Sequence, residues 1–233
     1  MTTSVAIAQR TVAAFDFDGT LTQRDTLVPF LMRVRGRSPV LRALAAQSTT
    51  LLRTAAGRES RQRAKEALLI ATVHGWWVDE LRPVAQEYAA HIVTTQLRPD
   101  RLARLRWHQE QGHDVLIVSA SPELYVQPVG ELLGCTAVLA TRLEVDRRGR
   151  VTGRLFGDNV RGAEKERLLR EWLGPEHPKG TTLYAYGDSE GDAEMLAMAD
   201  VPTLLKGKEK LDRAPQEVTR RRGRAGDWRA SID

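Results

Sequence analysis

Cysteine is nearly absent from the chain. Cys135 stands alone among 233 residues, so no internal disulfide can form, and a reducing compartment fits. No apolar run approaches the ~18 residues that a membrane span requires. In the opening stretch "MTTSVAIAQR", Arg10 interrupts the apolar residues early, so the expectation is a cytoplasmic protein without stable membrane insertion. Aromatic residues make up only 6%, and none forms a stacking platform interleaved with the one low-complexity patch, the basic tail "TRRRGRAGDW". Nucleic acid is therefore not an expected partner. The five histidines, 74, 91, 108, 113 and 177, lack paired metal-ligand spacing and read as structural or surface residues. There are no internal repeats.

What is present describes a globular chain with room for one large domain, or a core plus a modest insertion. Hydrophobic residues at 42% and charged residues at 28% are ordinary for such a chain. A balance of 35 Lys+Arg to 30 Asp+Glu leaves +5, which favours anionic partners.

A short strand, "TVAAFDF", is followed by four segments of helical periodicity with no strand-like run between them. The stripe Leu27, Phe30, Leu31, Val34 ends at Gly36 and Pro39, and the next runs from Leu41 to Ala55 before Gly57. A third carries Ala64, Ala67, Leu68 and Ala71. A fourth carries Trp77, Leu81, Ala85, Tyr88 and Ile92, with Trp76 and Trp77 expected in its core. From about residue 98 strands and helices alternate: strand "DVLIVSA", helix "PELYVQPVGELLG", strand "TAVLATRLEV", a hairpin turning at Gly149, helix "GAEKERLLREWLG", strand "TTLYAYGD", helix "EGDAEMLAMAD" and a short "VPTLL". This pattern implies an α/β fold with a parallel sheet and helices on both faces, interrupted by an all-helical module. The expected domains are a core of 1–25 with 98–233 and a helical cap of 26–97.

Parallel sheets bind ligands at the carboxyl ends of their strands, and three of these strands end there on polar residues. Asp16 and Asp18 follow the first, Ser119 follows "DVLIV", and Asp188 with Asp192 follows "LYAYG". Lys165 opens the helix before the last strand. Two aspartates two apart share a strand face and repel unless a cation or separate roles divide them. A potential nucleophile, an acid/base, an anion-binding hydroxyl, a cation and carboxylates for a hard metal are the inventory of phosphoryl transfer.

"DFDGTLT", "VSASPE", "GAEK" and "GDSEGD", in that order, resemble the four motifs of the haloacid dehalogenase superfamily. The helical insertion after the first resembles the type C1 cap of its phosphoserine-phosphatase-like branch, subfamily IB. The resemblance implies a Rossmann-like core and an Mg²⁺-dependent phosphomonoesterase working through an aspartyl phosphate. Asp16 would be the nucleophile and Asp18 the general acid and base. Asp16, the backbone carbonyl of Asp18, Asp188 and Asp192 would hold Mg²⁺. Ser119 would bond a phosphoryl oxygen, Lys165 would bridge nucleophile and phosphate, and Gly19 would border the substrate. The presence of Asp18 favours phosphatase over dehalogenase.

The chain departs from that branch at three positions. Gly191 replaces the usual Asn or Ser, Asp25 replaces a substrate-binding Glu, and Lys65 falls where a cap arginine stands. Lysine offers a point charge where arginine offers a bidentate fork. On the third helix Arg58, Arg61 and Lys65 share a face while Arg63 points away; that face reads either as solvated basic surface or as the one from which Lys65, with Asp25, reads the leaving group of a small phosphorylated substrate. The competing readings are a phosphatase for a phospholipid or isoprenoid phosphate, with an acyl chain inside the cap, and a non-catalytic basic binding module.

Overall fold

Alternation in the first strand decides the layering. In β1 (Arg10–Phe15), Val12 and Ala14 face one way and Ala13 and Phe15 the other, and all four are fully buried, so both sheet faces are covered. The computed structural model describes residues 10–51, 58–175, 180–205 and 210–215. The basic tail from 219 and His177 lie outside these described residues.

Between β1 and the next strand come α1 (Leu27–Arg35), α2 (Arg37–Leu51), α3 (Arg58–Val73), α4 (Val78–Thr95) and α5 (Pro99–Glu110). Alternation then begins: β2 (Asp114–Pro122), α6 (Glu123–Leu132), β3 (Ala137–Thr141), the pair β4 (Leu143–Val145) and β5 (Val151–Leu155), α7 (Ala163–Leu173), β6 (Thr181–Gly187), α8 (Ala193–Met198) and β7 (Val201–Leu204). The five-stranded sheet has the order β3-β2-β1-β6-β7, and every pairing in it is parallel. β1 is central. The chain builds outward through β2 and β3, then crosses to β6 on its other side, so the switch point lies at the carboxyl end of β1.

Two apolar clusters fill the space on either side of the sheet. Val12, Ala14, Leu116, Val118, Leu183 and Ala185 pack against Leu169 and Leu173 of α7 and Met195 and Leu196 of α8. On the opposite face Ala13, Phe15, Val115 and Ile117 meet Leu105 of α5 and Tyr125, Val126 and Val129 of α6. That second cluster continues without a break into Phe30, Leu31, Leu69, Leu81, Tyr88 and Ile92 of α1, α3 and α4. Phe30, Tyr88 and Tyr125 join at ring separations of 4.8–5.6 Å, which ties α1 and α4 onto α6.

The segment "TAVLATRLEV" does not form one strand. β3 ends at Thr141, and β4 leaves the main sheet to pair antiparallel with β5. At the break the Thr141 hydroxyl is fully buried and bonded to the loop at Asn159 and Val160, which anchors the end of β3. The β4–β5 turn lies at Gly149, as expected, with φ of +85°. Pro39 does not end α1; Gly36 does, and Pro39 sits in the first turn of α2, where its missing N–H costs nothing. Trp77 also differs from expectation. It is 40% exposed and stacks under the Arg150 guanidinium at 4.6 Å, while Trp76 is half-buried against the cluster.

Candidate active site

The first motif sits where β1 runs out. The Asp16 amide still donates to Tyr186 O at 2.8 Å, and the chain then folds back so that Thr22 N reaches Phe17 O at 2.9 Å. Gly19 makes this turn possible. Its φ is +82°, and a Cβ there would fall on the Asp188 carboxylate. Gly19 therefore lets the first and fourth motifs touch; its amide points to Thr22 Oγ1 at 3.4 Å.

Lys165 projects from the first turn of α7 into this crowd of carboxylates, with 2% of its surface exposed. Its Nζ donates to Asp16 Oδ1 at 2.5 Å and to Asp192 Oδ1 at 2.7 Å. Burial would strip its proton, but the two carboxylates outweigh burial and hold its pKa above the ordinary value. Asp192 is oriented from its other oxygen, which accepts from the Asp188 and Ser189 amides and the Ser189 hydroxyl at 2.9–3.2 Å. Burial opposes its ionisation, yet Lys165 and Ser189 prevail and keep Asp192 below the usual carboxylate range. Burial lifts Asp16 and Asp188 above that range, with Asp192 adding to both.

Asp18 has a different environment. Its Oδ1 accepts from Thr26 N at 2.8 Å and Thr26 Oγ1 at 2.7 Å, and its Oδ2 accepts from Ser121 Oγ at 2.5 Å. Burial pushes Asp18 up to about 6, helped by Asp25 and opposed by the Ser121 and Thr26 hydrogen bonds. Two carboxylates two residues apart thus have separate partners, one cationic and one neutral.

Asp16, Asp188 and Asp192 offer oxygens that all lie within 4.8 Å of one another. Three carboxylates share a single ammonium there, so the site lacks positive charge, and its all-oxygen donors fit a hard divalent cation. The Asp18 carboxylate is turned away from this trio toward Thr26 and Ser121, leaving only its backbone for that role.

The cleft of about 330 Å³ over these groups is also bordered by Asp25, Lys65, Ser121 and Arg161. Asp25 is exposed, and its Oδ1 accepts from Leu27 N at 3.0 Å, which starts α1. Lys65 comes down from α3 to donate to Ala120 O and Asn159 Oδ1, each at 2.6 Å. It is not on a solvated face; burial lowers it to about 8 despite Asp18 and Asp25. Arg61 and Arg63 are exposed, and the side chain of Arg58 lies outside the description. Ser119 is fully buried within β2, toward its carboxyl end, where its Oγ accepts from Ser121 N at 3.0 Å. The hydroxyl bordering the cleft belongs to Ser121. Sequence reasoning passed over it, although Ser121 repeats the Ser119 residue type two places on within "VSASPE". Thr26, Asn159 and Arg161 were likewise missed and carry no motif signal.

Among the described residues, no histidine borders this cleft. His108 is fully buried between Tyr186 and His113, and His74 caps Thr152 O at 2.8 Å. No described residue belongs to a helix long and apolar enough to cross a membrane.

Residues 13–197 match the haloacid dehalogenase-like hydrolase family. The chain is 36% identical to Protein CicA of Caulobacter vibrioides over 189 residues, which are 81% of this chain and 83% of that one. It is 32% identical to a probable phosphatase of Mycobacterium tuberculosis over 196 residues, covering 80% and 66% of the two chains. A solved structure of a phospho-aspartyl intermediate analogue of phosphoserine phosphatase shares the fold at a TM-score of 0.55 and 18% identity, over 82% of this chain and 84% of that one. The chain therefore belongs to the haloacid dehalogenase-like hydrolases.

Proposed function

We propose that the protein is an Mg²⁺-dependent phosphomonoesterase that hydrolyses a small phosphorylated metabolite through a phosphoryl group carried on Asp16. The observation that carries this reading is the division of labour between Asp16 and Asp18. Asp16 stands beside Lys165 and two further carboxylates, while Asp18 is held by three neutral donors at a pKa suited to moving protons near neutrality. Asp16, Asp188, Asp192 and the backbone of Asp18 would hold the cation, which when bound neutralises the phosphate dianion and the carboxylates around it.

Asp16 attacks phosphorus in line, and the leaving oxygen departs with a proton from Asp18. Asp18 then takes a proton from the water that hydrolyses the acyl phosphate, returning both residues to their starting states. Lys165 keeps Asp16 anionic and screens it from the incoming dianion. Thr26 and Ser121 fix the Asp18 carboxylate, so that its proton is delivered to the leaving group and not to Asp16.

The four helices of residues 26–97 form the cap, with 1–25 and 98–233 the core, and Lys65 with Asp25 contacts the leaving group. The packing supports a small substrate over a lipid phosphate. Phe30, Leu31, Leu81, Tyr88 and Ile92 are buried against one another and the core, so the apolar interior of these helices holds side chains where an acyl chain would have to lie.

Hydrolysis of a generic aryl phosphate tests the reading. Turnover should cease with EDTA and return with Mg²⁺, with Ca²⁺ a poor substitute because its looser coordination misplaces the reacting groups. Turnover that survives exhaustive chelation removes the metal from the account, and no turnover of any phosphomonoester removes the activity.

A further inference from the structure

Gly191 is open to a side chain as far as its own backbone is concerned, since its φ is outside the left-handed region. Its space is nevertheless taken. A Cβ there would fall on Nη1 of Arg161, within 2.6 Å of Cζ and 3.0 Å of Cγ. The guanidinium of Arg161 lies over Gly191, in the place a larger residue would fill.

That guanidinium stands on a boundary. Arg161 borders the catalytic cleft beside Asp16, Lys65 and Lys165, and it also borders an adjoining groove of about 680 Å³ with Gln62, Asp158, Glu164 and Arg170. The other cations of this groove are already matched: Arg167 pairs with Glu164 and Glu171, and Arg170 with Glu166. Among the described residues the Arg161 guanidinium has no hydrogen bond or ion pair. Its backbone, in contrast, is held on both sides. Val160 N donates to Thr141 Oγ1, Arg161 N to Asn159 O, and Gly162 N to Gly191 O, at 2.6–3.0 Å. The same loop receives Lys65 through Asn159 Oδ1, so two cations converge at the mouth of the cleft. Burial first, and to a lesser degree Arg161 and Lys165, depress Lys65, while Asp18 and Asp25 act against them.

We infer that Arg161, seated over Gly191, is a specificity-determining residue that binds a second anionic group, a carboxylate or phosphate, on the leaving group of the substrate. This deepens and rests on the phosphomonoesterase reading. The phosphoryl group occupies the cleft, and the leaving group extends past Gly191 toward the groove, where the guanidinium fork receives its anion. Gly191 serves the substrate indirectly, by leaving room for Arg161.

The test is a binding measurement that needs no catalysis. Titration calorimetry with Mg²⁺ present compares ω-phosphonocarboxylates of increasing chain length with the alkylphosphonates of matching length. The wild-type protein should prefer the carboxylate-bearing ligand of the matching length by roughly 10- to 100-fold, the worth of one charged hydrogen-bonded contact. Arg161→Ala should abolish the preference, and Arg161→Lys should restore only part of it. Gly191→Ala should weaken it similarly by displacing the guanidinium, and the double variant should be no worse than Arg161→Ala. Equal affinities for both ligand classes in the wild type, or a preference that survives Arg161→Ala, overturns the inference. If Lys65→Met alone removes the preference, the anion belongs to Lys65. A Gly191→Ala variant with full preference overturns the seating. Wild-type turnover of an aryl phosphate reports separately on the phosphatase reading, so its absence would leave the calorimetric comparison a valid test of Arg161.

Discussion

Replacing Lys165 by Met tests whether one buried cation holds the carboxylate cluster together. The substitution keeps much of the apolar stem but leaves Asp16 and Asp192, both buried, without their shared ammonium at 2.5 and 2.7 Å. Removing one partner of a buried pair costs about 3–5 kcal/mol because the remaining charge is uncompensated. For a chain of this size that corresponds to a drop in Tm of roughly 6–20 °C. The loss should be largest at pH 8, where the carboxylates are ionised, and smaller near pH 5.5, where Asp16, raised by burial, takes up a proton. Mg²⁺ should recover more stability in Lys165→Met than in the wild type, since the cation supplies the missing charge. Adding Asp16→Asn should also recover part of the loss, which keeps the reasoning testable if the single variant is poorly folded. Urea unfolding of the four proteins of the cycle, with and without Mg²⁺ at the two pH values, gives all these quantities. A Lys165→Met protein as stable as the wild type at pH 8, or one that Asp16→Asn destabilises further, would refute it.

Asp18→Asn should slow alkyl phosphates far more than aryl phosphates, because a phenolate leaves without a proton; equal losses in kcat on both classes would remove Asp18 as the acid. Lys65→Ala should raise KM for the cognate substrate by about one to two decades in kcat/KM, with a smaller effect on a compact aryl phosphate. Equal losses on both would make its bonds to Ala120 O and Asn159 a closure of α3 over the core instead. His108 is held near pKa 3 by burial, then by His113 and Arg104, whereas the unfolded chain protonates it below 6.5. Because only the unfolded state gains that proton, stability should fall by about 2 kcal/mol between pH 7 and pH 5. His108→Gln should flatten this part of the pH dependence, and an unchanged slope in urea midpoints would show that His108 is not the source.

Much of the geometry of the candidate site could be read from residue order because it depends on strand ends. β1 and β6 are parallel neighbours with Phe15 in register with Tyr186, so Asp16 and Asp188 leave the two strands at the same sheet edge. Lys165 was legible for a related reason: a helix opening before β6 places its first turn at the same sheet edge. The partners of Asp18 were less accessible. Thr26 lies eight residues on and Ser121 over a hundred, and neither position is set by a periodicity, only by how the turn at Gly19 aims the carboxylate. Trp77 was misread because apolar size suggested core, while the Arg150 guanidinium covers its ring at the surface. The break after β3 was hidden because "TRLEV" has the composition of a strand, and a bond from Val160 to Thr141 Oγ1 is tertiary. Arg161 carried no signal, since its significance arises only from the space above Gly191.

The central claim is that the phosphoryl group passes through Asp16. Acid-quenching the enzyme during steady-state hydrolysis of a phosphomonoester, followed by peptide mass spectrometry, examines this directly. The account predicts one added phosphoryl group on the peptide bearing Asp16, labile to hydroxylamine as an acyl phosphate is, enriched in Asp18→Asn with an aryl substrate and absent from Asp16→Asn. Unmodified Asp16 in an enzyme that is turning over, or a phosphoryl group on another residue, would contradict it.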